Sequence, residues 1–301
     1  MMPKVQKKKR PQRSKVQYFK DTLVYSNWKE FKYLGYQLGK KIGEGTNGFV
    51  MEAEYKGQKL VCKYMREDLL TIKGRNRFLP REIEICQMID HPYIIKTHSI
   101  MQEHKYCYIF MERAKTDLLV YIEKNGVLKI TLTQKWFSQV VSAIRYLHSM
   151  DIAHRDLKLE NIFVTEDLTI KLGDFGYSCF VTNKSQTSKS FKYIKSKTFC
   201  GSRAYVAPEI LKGIPYYPLK ADIWSLGVVL SCMLYGVMPF APEDSNLLDK
   251  MLKREMNVRE EYVKIVPKDC HDIIDYTIDP NPNNRYDIEQ IAALPWLTQL
   301  E

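Results

Sequence analysis

The run His154-Arg155-Asp156-Leu157-Lys158-Leu159-Glu160-Asn161 constrains this chain more than any other feature, because Asp174-Phe175-Gly176 follows 18 residues after Asp156. Few architectures need two acids, an amide and a lysine at such fixed intervals. Asp156 suits the task of accepting the proton of an attacking hydroxyl. Asn161 and Asp174 offer the hard oxygens that Mg2+ prefers.

Three further signals fall into line with it. Gly43-Glu44-Gly45-Thr46-Asn47-Gly48-Phe49-Val50 is a GxGxxGxV run, in which glycines let backbone N–H groups close over phosphates. Alone, it reads equally well as a glycine-rich hairpin turn. The residues that follow, Phe49 to Tyr55, look like a strand, where a dinucleotide-binding fold would need a helix. Lys63 ends the apolar stretch Leu60-Val61-Cys62, 20 residues beyond Gly43. Turned inward it needs an acid, which Glu82 on the next helix can supply, and the ammonium then faces nucleotide phosphates. The alternative is a strand-end lysine reaching solvent. Finally, Ala207-Pro208-Glu209 closes a segment of 36 residues counted from Asp174. All the spacings suit one architecture.

Hydrophobic periodicity gives the layout. Short β-type runs punctuated by glycine fill Tyr36 to Tyr64 and predict an antiparallel meander. Pro80 to Ile89 reads as a helix that stops before His91-Pro92, and Tyr106 to Met111 as one more strand. Helical periodicity takes over from Thr133, with later helices over Asp222–Tyr235, Asn246–Lys253 and Lys268–Ile278. Strands first and helices second define an α+β class. The 301 residues divide into a basic N-terminal extension (1–35), a small β-rich lobe (36–111), a connection (112–117) and a larger helical lobe (118–297).

Charge narrows the function classes. Of a net +11, residues 1–20 contribute eight Lys and Arg and residues 175–208 contribute six, neither stretch holding an acid. The remainder is slightly acidic, so the folded body is not expected to bind nucleic acid. The run Lys7-Lys8-Lys9-Arg10-Pro11-Gln12-Arg13 reads as a solvated terminus or as a nuclear-import contact. The seven cysteines are scattered without a CxxC spacing, which argues for reduced thiols over disulfides or zinc. Neither a membrane span, a secretory signal nor a myristoylation motif is expected, so the placement expected is cytoplasmic, with the nucleus added if the basic run is read.

On these motifs the chain resembles the eukaryotic protein kinases from about Tyr36 to Leu297. The resemblance implies a bilobal protein-kinase fold that binds ATP and Mg2+ between the lobes and transfers the γ-phosphoryl group to Ser or Thr of protein substrates. It implies Asp156 as base, Lys158 on the γ-phosphate, Lys63 and Glu82 as an ion pair, and Asn161 and Asp174 as metal ligands. Nucleotide contacts are implied for Ile42, for the loop residues Gly43, Glu44, Gly45, Thr46, Asn47, Gly48, Phe49 and Val50, and for Val61, Lys63, Met111, Glu112, Asp117 and Phe163. Asp222 would brace the catalytic loop and Arg285 would pair with Glu209.

Four shorter stretches resemble the testis-specific serine/threonine kinases, near the calmodulin-dependent group. They are Phe78-Leu79-Pro80-Arg81-Glu82-Ile83-Glu84-Ile85, Ser196-Lys197-Thr198-Phe199-Cys200-Gly201-Ser202, Gly213-Ile214-Pro215-Tyr216 and Met238-Pro239-Phe240. That branch implies a role in sperm differentiation. Departures from the kinase pattern are Val61 for the usual Ala over the adenine, Phe163 for Leu beneath it, Arg113 for an apolar hinge residue and Arg203 for Pro. The hinge before Asp117 reads one residue short. A rival reading is a pseudokinase scaffold, but such proteins usually lack the Lys, the base or the metal-site Asp, and Lys63, Asp156, Asn161 and Asp174 are all present. A small-molecule kinase is disfavoured by the long segment ending at Glu209. The expected enzyme is a monomer whose substrates carry basic residues upstream of the target, met by Glu160 and Asp117. Of nine Ser and Thr in the activation segment, Thr198 is the expected target of an upstream kinase, with Arg155 available to pair with it.

Overall fold

A computed structural model describes residues 32–45, 48–103, 105–182 and 193–299. The basic extension as far as residue 31, together with Thr46 and Asn47, lies outside them. Chain contacts define two units, one of residues up to Leu70 with His98–Met111, the other of Thr71–Thr97 with Glu112 onward. Residues 71–97, counted with the β-rich lobe in the sequence reading, thus group with the helical unit.

The first unit holds, but for the end residues Thr97 and Glu112, strands β1 (Tyr36–Gly45), β2 (Gly48–Tyr55), β3 (Gln58–Arg66), β4 (Thr97–Glu103) and β5 (Tyr106–Glu112) in the order β1-β2-β3-β5-β4. The β2–β3 register runs from Gly48 opposite Met65 to Tyr55 opposite Gln58. The two residues between them, Lys56 and Gly57, have φ of 48° and 84°, the left-handed pair that a tight hairpin matched to strand twist requires. Alternation buries Tyr36, Leu60, Cys62, Tyr106, Tyr108 and Phe110 in one cluster. The Tyr36 hydroxyl meets Ser99 Oγ at 2.7 Å, which satisfies the polar end of a buried ring.

The second unit begins with α1 (Leu79–Met88), which carries Pro80 in its first turn and ends at an extended Ile89 before the proline at 92, as the sequence predicts. Strand β6 (Thr116–Asp117), helices α2 (Leu118–Asn125) and α3 (Ile130–Ser149), and strands β7 (Ile152–Ala153), β8 (Ile162–Val164), β9 (Ile170–Leu172) and β10 (Cys179–Phe180) follow. Sheets β6-β8-β9 and β10-β7 flank the catalytic-loop run. Helix α5 (Pro218–Tyr235), which follows the short α4 (Pro208–Leu211), is apolar around its whole circumference and almost entirely buried, the signature of a core helix. Gly227 lets it approach α8 (Lys268–Thr277, after α6 and α7 at Leu247–Lys253 and Glu260–Val263), since a Cβ there would stand 2.2 Å from Thr277 Oγ1. No described helix is long and apolar enough to cross a membrane.

Candidate active site

The eight-residue run of the sequence lies between β7 and β8, and α5 fixes its backbone. Asp222, fully buried on α5, accepts from His154 N–H at 2.8 Å and from Arg155 N–H at 2.7 Å, and its Oδ2 also meets His148 Nε2 at 3.0 Å. The brace implied for Asp222 is therefore formed. It holds Arg155 at φ 66°, a left-handed conformation that a side chain adopts only when its surroundings impose it. Asp174 stands at φ 59° in the same way.

These constraints converge on Asp156. Asn161 donates its side-chain amide to the Asp156 carbonyl at 2.8 Å and to Asp156 Oδ2 at 3.1 Å, bonds that do not use its Oδ1. Lys158 Nζ lies 3.3 Å from Asp156 Oδ2 and donates to Ser202 Oγ at 2.9 Å. Ser202 in turn donates to Asp156 Oδ1 from its backbone at 3.0 Å and its hydroxyl at 3.1 Å. The sequence reading has Ser202 as one of nine hydroxyls of the activation segment and as the end of the Ser196–Ser202 stretch, with no role at Asp156. Its position after Gly201, whose left-handed φ of 96° turns the chain back against the Arg155 carbonyl, is what brings it to Asp156.

Among the described residues no three His, Cys, Asp or Glu side chains gather as a metal site. The donor set of Asn161 and Asp174 nevertheless fits Mg2+, which takes one or two carboxylate or amide oxygens and completes its shell with substrate phosphates and water. Phe175 anchors the Asp174 turn, buried with its ring edge-on to His154 at 5.4 Å.

Several predicted nucleotide contacts have structural duties of their own. The Asp117 carboxylate caps α2, accepting from Val120 N–H at 2.9 Å. Glu112 receives Lys171 Nζ at 2.8 Å and the Lys96 N–H at 2.5 Å, so its side chain binds the connection to β9. Phe163 pairs with Asp117 on one side and Lys171 on the other. Glu82 is buried on α1. In the first unit, β1 and β2 bring Gly43 opposite Val50, Glu44 opposite Phe49 and Gly45 opposite Gly48. Gly48 has no room for a side chain, since a Cβ would stand 2.0 Å from the Tyr64 carbonyl oxygen. Ile42 is exposed, Glu44 pairs with Lys41 at 2.6 Å, and Val61 and Lys63 sit on β3 with Lys63 half-buried; Met111 lies near the end of β5.

Beyond the catalytic run, Arg155 donates to the Tyr177 carbonyl at 2.7 Å and to Ser196 Oγ at 3.3 Å. Thr198 is buried at 4% exposure, its carbonyl accepting from Tyr216 OH at 2.9 Å, so the hydroxyl that Arg155 reaches is that of Ser196. Glu160 Oε2 is buried without a hydrogen-bond partner. Burial, then the charge of Glu160, pushes the neighbouring Cys232 thiol up to about 12 and keeps it neutral. Arg285 forks onto Glu209 at 2.8 and 2.7 Å, the implied pair, with both residues buried.

The protein kinase domain family matches residues 36–297. Testis-specific serine/threonine-protein kinase 1 of Mus musculus is 40% identical over 272 residues, covering 88% of this chain and 73% of its own. Testis-specific serine/threonine-protein kinase 4 of Homo sapiens is 36% identical over 250 residues, covering 80% and 76%. NUAK family SNF1-like kinase 1 of Homo sapiens is 36% identical over 265 residues, covering 87% of this chain and 38% of its own. The chain belongs to the protein kinase family, the class that its β-sheet unit, helical unit and catalytic loop define. Within it, the chain is a protein serine/threonine kinase, similar to the testis-specific branch.

Proposed function

We propose that this kinase is catalytically competent, transferring the γ-phosphoryl group of MgATP to Ser or Thr of protein substrates in differentiating male germ cells. The observation that carries competence is the complete hydrogen-bonded set of Asp156, Lys158, Asn161 and Ser202. Bound MgATP supplies the phosphoryl group and the cation that neutralises its developing charge. Asp156 orients the substrate hydroxyl and takes its proton, a role supported by the two Ser202 donors and the Asn161 amide that fix the carboxylate's orientation. Lys158 lies against that carboxylate as the cation nearest the transferred group. By the family's pattern Asn161 Oδ1 and Asp174 would hold the metal and Phe163 would contact the base; in the other unit Lys63 and the Gly43–Val50 loop would bind phosphates. The germ-cell setting is supported by the relatives whose names carry it.

Glu160 supports a preference for Arg or Lys upstream of the target residue, because a carboxylate in the catalytic loop favours a cation beside it. The direct test incubates the purified chain with γ-labelled ATP, Mg2+ and a positional peptide library. Label on Ser and Thr peptides, abolished by Asp156→Asn, is expected. No incorporation above the Asp156→Asn background would make the chain a pseudokinase scaffold.

A further inference from the structure

Residues 71–81 hold Lys73, Arg75, Arg77 and Arg81 and no acid, a third basic run beside those of the N-terminal extension and the activation segment. Its last member is partly withdrawn from solvent: Arg81 Nη1 is buried and, among the described residues, meets no hydrogen-bond acceptor. Burial, then the charge of Arg77, holds this guanidinium below its ordinary value, and the charge of Arg155 pushes the same way. Arg155 is 5% exposed and has the same shortage. Its Nε donates to the Tyr177 carbonyl and its Nη1 to Ser196 Oγ at 3.3 Å, while Nη2 is buried with no acceptor among the described residues. Two neighbouring guanidinium groups of one unit each keep a donor unused, at a cost that an anion in reach of both would recover.

Ser196 is the hydroxyl placed to carry that anion. Its backbone is pinned by two bonds, Ser196 N–H to the Tyr216 carbonyl at 2.8 Å and Tyr216 N–H to the Ser196 carbonyl at 3.0 Å. The side chain is therefore held at Arg155, and its Oγ also accepts from Thr198 N–H at 3.1 Å, a bond that an ester oxygen can keep. Ser196 is half-buried, whereas Thr198 is buried. A phosphate on Ser196 would add three acceptor oxygens and a charge of about −2 next to Arg155. Lys195 directly precedes the serine and Lys192 stands four residues before it, the basic setting proposed above for substrates.

We propose that Ser196, not Thr198, is the phosphosite of the activation segment, that a second copy of this chain modifies it, and that Arg155 and Arg81 together receive the phosphate. The second copy's part rests on the proposed function, and the receiving pair does not. In the transfer, Ser196 Oγ bonds to the γ-phosphorus of ATP as the bond from that phosphorus to the β,γ-bridging oxygen breaks. ADP leaves with the electron pair, and the hydroxyl proton passes to Asp156 of the second copy. The products are ADP and a phosphoserine whose oxygens accept from the unused N–H groups of both arginines. The basic run thereby gains a counter-charge, and α1, which carries Arg81, is fastened to the activation segment within one unit.

The test uses the full chain with phosphoserine installed genetically at position 196 or, in a second protein, at position 198, each with and without Arg81→Gln. The melting temperature and the phosphorus NMR titration of the phosphate are read, and neither needs catalysis. Phosphoserine at 196 is expected to raise the melting temperature by about 4 °C or more over the unmodified chain. It should lose its second proton about 1 pH unit below the ordinary ~6. Arg81→Gln should remove about half of both effects or more, and neither effect is expected at 198. Both effects at 198 and none at 196, or effects at 196 indifferent to Arg81, would overturn the receiving pair. The transfer is read by incubating the wild type with MgATP and mapping phosphate by mass spectrometry, with isotope-labelled Asp156→Asn chain alone and mixed with wild type. Phosphate on Ser196 of the wild type and of the labelled chain in the mixture, and none on the labelled chain alone, is expected. A wild type that phosphorylates peptides but not Ser196 would overturn the second-copy route. A wild type that phosphorylates nothing would overturn the proposed function and that route with it, and the titration at 196 still decides the receiving pair.

Discussion

Ser202 closes onto Asp156 Oδ1 through both its backbone N–H, at 3.0 Å, and its hydroxyl, at 3.1 Å, while the same hydroxyl accepts from Lys158 Nζ at 2.9 Å. One hydroxyl thus orients the two charged groups of the catalytic loop relative to each other. Ser202→Ala keeps the backbone donor and removes the bridge, so kcat is expected to fall about tenfold or more, the loss of one hydrogen bond to a charged group. The melting temperature should barely move. Ser202→Thr should restore turnover because it keeps the oxygen, and Asp156→Asn should cost at least ~10²-fold. Steady-state kinetics on one peptide decides among these, and an alanine variant with wild-type kcat would remove Ser202 from the site.

Arg285 is nearly inaccessible and commits four of its five N–H donors. It forks onto Glu209, donates to the carbonyls of Asp279 and Lys220, and lies 5.1 Å over the Trp224 ring. Removing one partner of a buried pair strands the other charge, at a cost of about 3–5 kcal/mol. Arg285→Ala and Glu209→Ala should each lower stability in chemical denaturation by that order, and the double variant should lose less than their sum. Equal and additive losses would show that the two side chains do not share one interaction.

Much of this was legible in the sequence, for a physical reason. Short β-type runs punctuated by glycine in Tyr36–Tyr64 predict a meander, and three strands form over that stretch, the last running on to Arg66. Helices over Pro218–Tyr235 and Lys268–Thr277 agree with the sequence reading to within a few residues. What the sequence did not disclose depends on tertiary approach. Helix α2 is absent from the sequence reading because its apolar stripe is short and its start rests on one cap, Asp117, which that reading takes as a nucleotide contact and as an acid for the substrate. The Asp156–Ser202 bonds join residues 46 apart through a turn at Gly201, and no periodicity reports such a meeting.

Stability should fall on the acid side of neutrality because of His91. Burial, then the charge of Lys171, holds this imidazole below its ordinary 6.5. Its Nδ1 accepts from Tyr93 N–H at 3.2 Å and so must be unprotonated, and its ring stacks on Tyr146 at 5.0 Å. The unfolded chain takes up the proton at a higher pH than the folded one, so stability is complete above about 6.5 and declines as pH drops below it. Denaturant midpoints measured from pH 7.5 to 5.0 should show the decline, and His91→Asn should flatten it. A slope unchanged in that variant would assign the effect to other groups.

The last expectation concerns substrate choice. Glu160 follows Leu159 in the catalytic loop, its carboxylate hydrogen-bonded by Tyr205 and its Oε2 buried and, among the described residues, without a donor. Cys232, also close by, stays a neutral thiol, so Glu160 is the acid available to an incoming cation. Such an oxygen gains most from a guanidinium, whose planar fork suits a carboxylate better than an ammonium does. Peptides with Arg upstream of the phosphorylated residue should therefore have higher kcat/KM than their Ala counterparts, with Lys in between. Glu160→Gln keeps the shape, removes the charge and should reduce the Arg advantage about tenfold or more, while kcat/KM on the Ala peptide stays near wild type. If the variant loses activity equally on all peptides, Glu160 supports the loop and does not select the substrate.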